Sequence, residues 1–127
     1  MIEHGRDIAE LFRRMNNILR VGKVCEVDYA KAKARVQIGK ITTAFLPWLT
    51  PSTSAWIPLK NGEQVVVLSP NGDLKMGMIL PALYQNAKPA PSDDAKRIAI
   101  ISDIDQTGDK TMTGKLDVDD NISTAKL

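Results

Sequence analysis

The sequence predicts a mainly β protein with one N-terminal helix, a small five-stranded barrel and a C-terminal β segment that needs partners. Three observations predict it. Apolar residues recur with a helical period before residue 20; the period drops to two over five short runs up to residue 84; alternation returns near residue 98 and persists to residue 122. The chain is accordingly divided into a helix at 1–19, a barrel at 20–84, a linker at 85–96 and a β segment at 97–127.

In the first region Ile8, Leu11, Phe12, Met15, Ile18 and Leu19 follow the i, i+3, i+4, i+7 spacing of one apolar stripe, with Glu10, Arg13, Arg14 and Asn17 largely opposite. So short a helix is marginal alone, and its stripe must dock on something. From Arg20, Val21, Val24 and Val27 break strict alternation once, which suggests a first strand bulged near Gly22, ended by a turn at Asp28-Tyr29-Ala30. The second strand places Ala32, Ala34, Val36 and Ile38 on one face and Lys31, Lys33, Arg35 and Gln37 on the other. ITTAFLPWL reads as a third strand ended by Pro47 or shortly after, and TPSTSA as a surface loop. Gln64 to Leu68 is a fourth strand, Asn71-Gly72 a turn, and a fifth strand runs from about Leu74 to Leu80. Five short strands with a bulge in the first suggest a Greek-key barrel of the OB type, with an SH3-like barrel the nearest rival.

QNAKPAPSDDAK has the composition of a linker. Beyond it Ile98, Ile100, Ile104, Met112, Leu116, Val118 and Ile122 share even positions, while the odd positions are mostly Asp, Lys and Thr. Large apolar residues recur six apart at Ile98, Ile104, Leu116 and Ile122, with Lys110 in the missing slot. Such a strand, apolar on one face and on a flexible linker, has too little surface of its own to cover that face. Identical tails wound about a common axis would cover it and remove the open edges; folding back on the barrel as a hairpin, or partial disorder, are the alternatives.

Composition narrows the function. The chain has 127 residues, 43% hydrophobic and 25% charged, which suits one ordinary domain with length to spare and excludes global disorder. A net charge of +2 does not demand a polyanionic partner. No apolar run approaches the roughly 18 residues of a membrane span, and the N-terminus lacks the order of a secretory signal, so synthesis is expected to leave the chain in the cytoplasm. Cys25 is the single cysteine and reads as a small core residue; His4 is the single histidine, near a terminus. Asp103 to Asp109 superficially resembles a calcium loop, but Gly114 stands where the twelfth, acidic ligand is needed. Neither catalysis, a cofactor nor a metal site is expected. Lys31, Lys33 and Arg35 form a candidate single-strand nucleic-acid patch, but only Tyr29 is an aromatic near them, whereas Phe45 and Trp48 read as packing or interface anchors.

The run from GKVCEVDY to GMILPALY, followed by NAKPAPSDD, resembles the baseplate assembly protein V family of contractile-tailed bacteriophages. The likeness covers about residues 18–94 and is strongest in LPWLT, Trp56-x-Pro58, GEQVVVLSPNGDL and ALY-x-x-A-x-P-x-P. It implies an OB-fold domain followed by an intertwined, three-chain β-helical or β-prism spike whose axis Ile98, Ile100, Ile104, Met112, Leu116, Val118 and Ile122 would line. Phe45, Trp48, Trp56, Gly62 and Glu63 would then serve barrel packing and the assembly surface. The implied protein is a non-enzymatic homotrimer, the central spike that caps the tail tube. Its implied partners are tube and baseplate hub proteins and, on contraction, the host outer membrane. It would be made in the host bacterial cytoplasm and end in the tail baseplate of the virion. Family members often carry a longer tail with a histidine-containing tip that binds iron; none is present here, so no metal is carried over. Ending at Leu127 fits a short spike with a separate tip protein or a truncated chain. An effector-bearing type VI secretion tip is a third reading, without an enzyme-like extension to support it.

Overall fold

The computed structural model describes residues 2–120. A helix, α1 (Ile2–Asn17), leads directly into strand β1 (Leu19–Asp28). Then follow β2 (Lys33–Ile38), β3 (Ile41–Thr42), β4 (Leu46–Pro47), β5 (Gln64–Leu68) and β6 (Met78–Leu83), with 3-10 turns at Pro70–Gly72 and Leu74–Met76 between the last two strands. Antiparallel pairing gives the order β3-β2-β1-β5-β6, with β4 also on β2. The ends meet where Trp48 lies parallel to Ile79 and the Leu49 amide donates to the Ile79 carbonyl at 2.8 Å. Since β3 and β4 are two halves of one run, five runs close into a barrel, as an OB fold requires.

Val24, Ala34, Val36, Leu46, Leu59, Val65, Val67 and Ile79 fill the barrel, each at most 2% exposed. All but Leu59, which comes from the loop before β5, are inward positions of the strands, as period two dictates. Thr43 and Ser69 are the buried polar residues among those described; the Thr43 hydroxyl accepts from the Val36 amide at 3.0 Å and donates to the Ala44 carbonyl at 2.8 Å.

Several local expectations are corrected. The bulge in β1 falls between Val24 and Glu26, not at Gly22. Cys25 is the extra residue, so it is turned outward and exposed instead of joining the core, its thiol 3.4 Å from the Arg35 carbonyl. The same bulge puts Val24 and Val27, three apart, on one side, which is the pattern that had hinted at an irregularity. Gly22 has another reason: a Cβ there would lie 2.6 Å from the Gln37 carbonyl oxygen and from Val36 Cγ1, so glycine permits β2 to approach β1. Ala32 and Lys31 belong to the preceding turn, with Ala32 at φ 54°. The expected third strand is broken between Thr42 and Leu46, because Thr43 turns back to hydrogen-bond Val36. The run ends at Pro47 as expected, with one further bridge from Trp48 to Ile79. The last strand starts at Met78, about four residues later than expected, because Asp73 accepts from the Lys75 amide and caps a 3-10 turn through Leu74. Gln64–Leu68 stands where the sequence places it.

The chain falls into two compact units that divide between Asp93 and Asp94. Residues 94–120 contain no helix or strand, and every side chain in them is exposed. The backbone bends at Ser102, Gly108, Gly114 and Asp119-Asp120, a spacing of six, with φ at 114° for Gly108 and 128° for Gly114. Ile122, expected on the apolar face, lies outside the described residues.

Candidate assembly surfaces

The turn at residues 60–63 is tied to β1 beside its bulge. The Glu63 carboxylate accepts from the Lys60 amide at 2.9 Å, the Gly62 amide donates to the Val24 carbonyl at 2.7 Å, and the Val24 amide donates to the Glu63 carbonyl at 2.9 Å. Gly62 sits at φ 87°, where glycine is favoured, and its carbonyl accepts from the Gln85 side chain at 2.6 Å. Gly62 and Glu63 thus fasten the turn, and neither is presented as a reactive group.

Trp48 is half-buried against the core, and Trp56 lies on it with ring centroids 5.6 Å apart. Tyr29 meets Trp56 edge-on at 6.5 Å and donates its hydroxyl to the Leu59 carbonyl at 2.8 Å. The two proline-flanked tryptophans therefore form one aromatic pair on the barrel side, their planes tilted by 42° and the outer ring exposed. Beside it an apolar cleft is lined by Leu49, Pro51, Ile57, Pro58 and Leu80, with Glu63 its single charged residue. No cluster of three or more His, Cys, Asp or Glu side chains exists among the described residues, so no metal-binding arrangement is brought together there.

The basic residues of β2 and its turn are not presented together as free cations. Arg35 donates to the Thr43 carbonyl at 2.9 Å, approaches Glu26 at 3.5 Å and lies 5.8 Å over the Phe45 ring. Lys31 and Lys33 are exposed. A second cleft, between α1 and the 3-10 turns, gathers Arg13, Arg14, Arg20 and Lys75 around Asp73. Arg13 and Arg14 both bond Glu10, and these two guanidiniums, Arg13 foremost, hold its carboxyl at about 2, below the ordinary 4.5.

This second cleft shows how α1 sits. Arg13, Arg14 and Asn17 line the side facing the barrel, where the Arg14 backbone lies so near Gly72 that a Cβ on that glycine would meet the Arg14 carbonyl oxygen at 2.7 Å. The apolar stripe faces away: Ile8, Leu11, Phe12 and Met15 are each more than half exposed. Sequence periodicity identified the stripe but not its direction. It also left unremarked that β5, QVVVL, is apolar on both faces, the mark of a strand to be covered twice. Its outward Val66 and Leu68 pair with Val21 and Leu19 of β1 on one side and with Leu80 and Met78 of β6 on the other.

In residues 94–120 the even-numbered apolar side chains are left to solvent: Ile98 is 94% exposed, and Ile100, Ile104, Met112, Leu116 and Val118 are also exposed. Ile101, on the odd side, is exposed as well. No helix among the described residues is long and apolar enough to cross a membrane.

A small closed barrel of five antiparallel runs with a bulged first strand has the architecture of an OB domain. The chain belongs to the phage baseplate V family: the pattern described as the type VI secretion system/phage-baseplate injector OB domain matches residues 20–84. It is 37% identical over 98 residues to the spike protein of Escherichia phage P2, a match covering 74% of this chain and 46% of that protein. The chain thus spans about half the length of the curated relative it matches.

Proposed function

We propose that this chain is the subunit of a homotrimeric central spike of a contractile phage tail, a structural and not an enzymatic part. The barrel forms a collar against the tail tube and baseplate hub, and residues 97–127 wind with two other copies into a three-chain β structure. The observation that carries this reading is the state of residues 94–120. Their apolar side chains are exposed in a single chain, and the backbone bends every six residues, at Ser102, Gly108, Gly114 and Asp119-Asp120, in step with Ile98, Ile104, Lys110 and Leu116. A bend at a fixed place in each repeat lets successive short runs pass around an axis with the same side chain inward each time. Neighbouring copies supply the ladder hydrogen bonds that one chain leaves unmade.

Rigidity follows from that arrangement. Interchain hydrogen bonds and a dry axial stripe load in parallel under axial force, while Asp103, Asp105, Asp109 and Lys115 outside keep the assembly soluble. Membership of an injector family and likeness to a protein called a spike support a role in piercing the host envelope. The spike would assemble in the host cytoplasm and reside in the virion baseplate.

The test is Ile104→Asp combined with Leu116→Asp, followed by light scattering and circular dichroism. The natural sequence is expected to scatter as three chains and the variant as single chains or aggregates with the barrel spectrum retained. Trimers of unchanged stability in the variant, or a natural chain that stays single at high concentration, would overturn the reading.

A further inference from the structure

Within the barrel unit two apolar surfaces point outward. One is the stripe of α1, Ile8, Leu11, Phe12 and Met15, between 53% and 58% exposed. It cannot roll onto its own barrel without breaking the close Arg14–Gly72 backbone approach and the bond from Arg20 to the Asn17 side chain at the helix end. The other is the outer wall of β1, β5 and β6. Register places Leu19, Leu68 and Met78 in one row and Val21, Val66 and Leu80 in the next, with Leu19 58%, Val21 47% and Leu80 43% exposed. Lys23 opposite Gln64 continues the wall as a polar rim.

We propose that the α1 stripe of one copy packs on the β1–β5–β6 wall of the next, closing a ring of three collars. This deepens, and rests on, the threefold reading above. Symmetry selects the occupant: a closed ring joins two different patches head to tail, and each copy here carries two, one convex and helical, the other broad and sheet-like. Apart from Lys23 at the rim of the wall, neither contains a charge, so no ion is buried unpaired at the centre when they meet, and a helix laid on a sheet face is a stable two-layer packing. Each patch exposes on the order of 400 Å², so one contact withdraws roughly 800 Å² in total, about half of a standard interface. Contacts of that size hold a ring that the tails also hold together; alone they are weak.

Paired cysteines in the full chain test it. With Cys25→Ser as background, the double variant Leu11→Cys/Val66→Cys is oxidised and run without reductant beside each single variant, and all are sized by light scattering. A ladder of two and three linked chains from the double variant only is the expected result. Links in Leu11→Cys alone would mean that helices meet each other, and a linked single chain would mean that the helix covers its own wall; each overturns the proposal. Trimers without links overturn it and leave the threefold spike intact, whereas a single unlinked chain removes both.

Discussion

The barrel and the tail carry the same instruction, alternating apolar and polar residues, and reach opposite outcomes. In residues 19–84 the inward side chains are buried to within 2% by other strands of the same chain. In residues 94–120 the corresponding side chains are exposed, and no strand forms. Alternation marks which face must be covered; it does not supply the cover. The barrel succeeds because bends return its strands to one another, through the turn at residues 29–32, the anchored turn at Gly62 and the closure of Trp48 on Ile79. The tail bends too, but only every sixth residue and without a return, and its apolar face stays open among the described residues.

The contrast can be broken at either end. Ile79→Ala is expected to destabilise the barrel by about 2–5 kcal/mol, since it leaves a cavity where β6 closes the core, and denaturant titration reads it directly. Ile104→Asp with Leu116→Asp is expected to leave the barrel's own transition in place. Gly22→Val should cost roughly 1–3 kcal/mol, because its side chain collides with the Gln37 carbonyl and Val36; a thermal midpoint equal to that of the natural chain would show that β2 can retreat.

Thr43→Val keeps the shape but leaves the Val36 amide without its side-chain acceptor, an expected loss of about 1–3 kcal/mol that urea unfolding would detect. In the tail, Gly108→Val forces a branched residue to φ 114° and should destabilise the proposed trimer by roughly 1 kcal/mol per chain, read as a lower melting temperature, with no effect on the barrel. The smallest effect concerns Glu10. Its folded value, about 2, lies below the ordinary 4.5, so its contribution to the helix is whole above about 4.5 and fades as pH falls toward 2. Helical ellipticity should show that acid-dependent loss in the natural chain, and Glu10→Gln or high salt should abolish it.

Much of this was legible in residue order because it depends on neighbours along the chain. The stripe of α1, the inward pair Ala34 and Val36, the Gln64–Leu68 strand and the six-residue recurrence in the tail are all legible along the chain. What misled was equally local. Cys25 looked like a core residue because a bulge conserves composition while reversing direction, and Leu74 looked like the start of a strand because a 3-10 turn borrows the same apolar residues. The proline-flanked tryptophans announced packing, but nothing in LPWLT says that Trp48 would meet Ile79, some thirty residues on.

By itself, the amino-acid order determined that this is a β protein with a helix in front and an unsatisfied apolar face behind, since alternation and helical spacing are properties of consecutive residues. Only the tertiary structure decided where the barrel closes, which way Cys25 turns, and that α1 presents its polar side inward and its apolar side outward. Those outcomes depend on contacts between residues far apart in the chain, such as Arg14 with Gly72, where close backbone approach, rather than any local preference, sets the geometry.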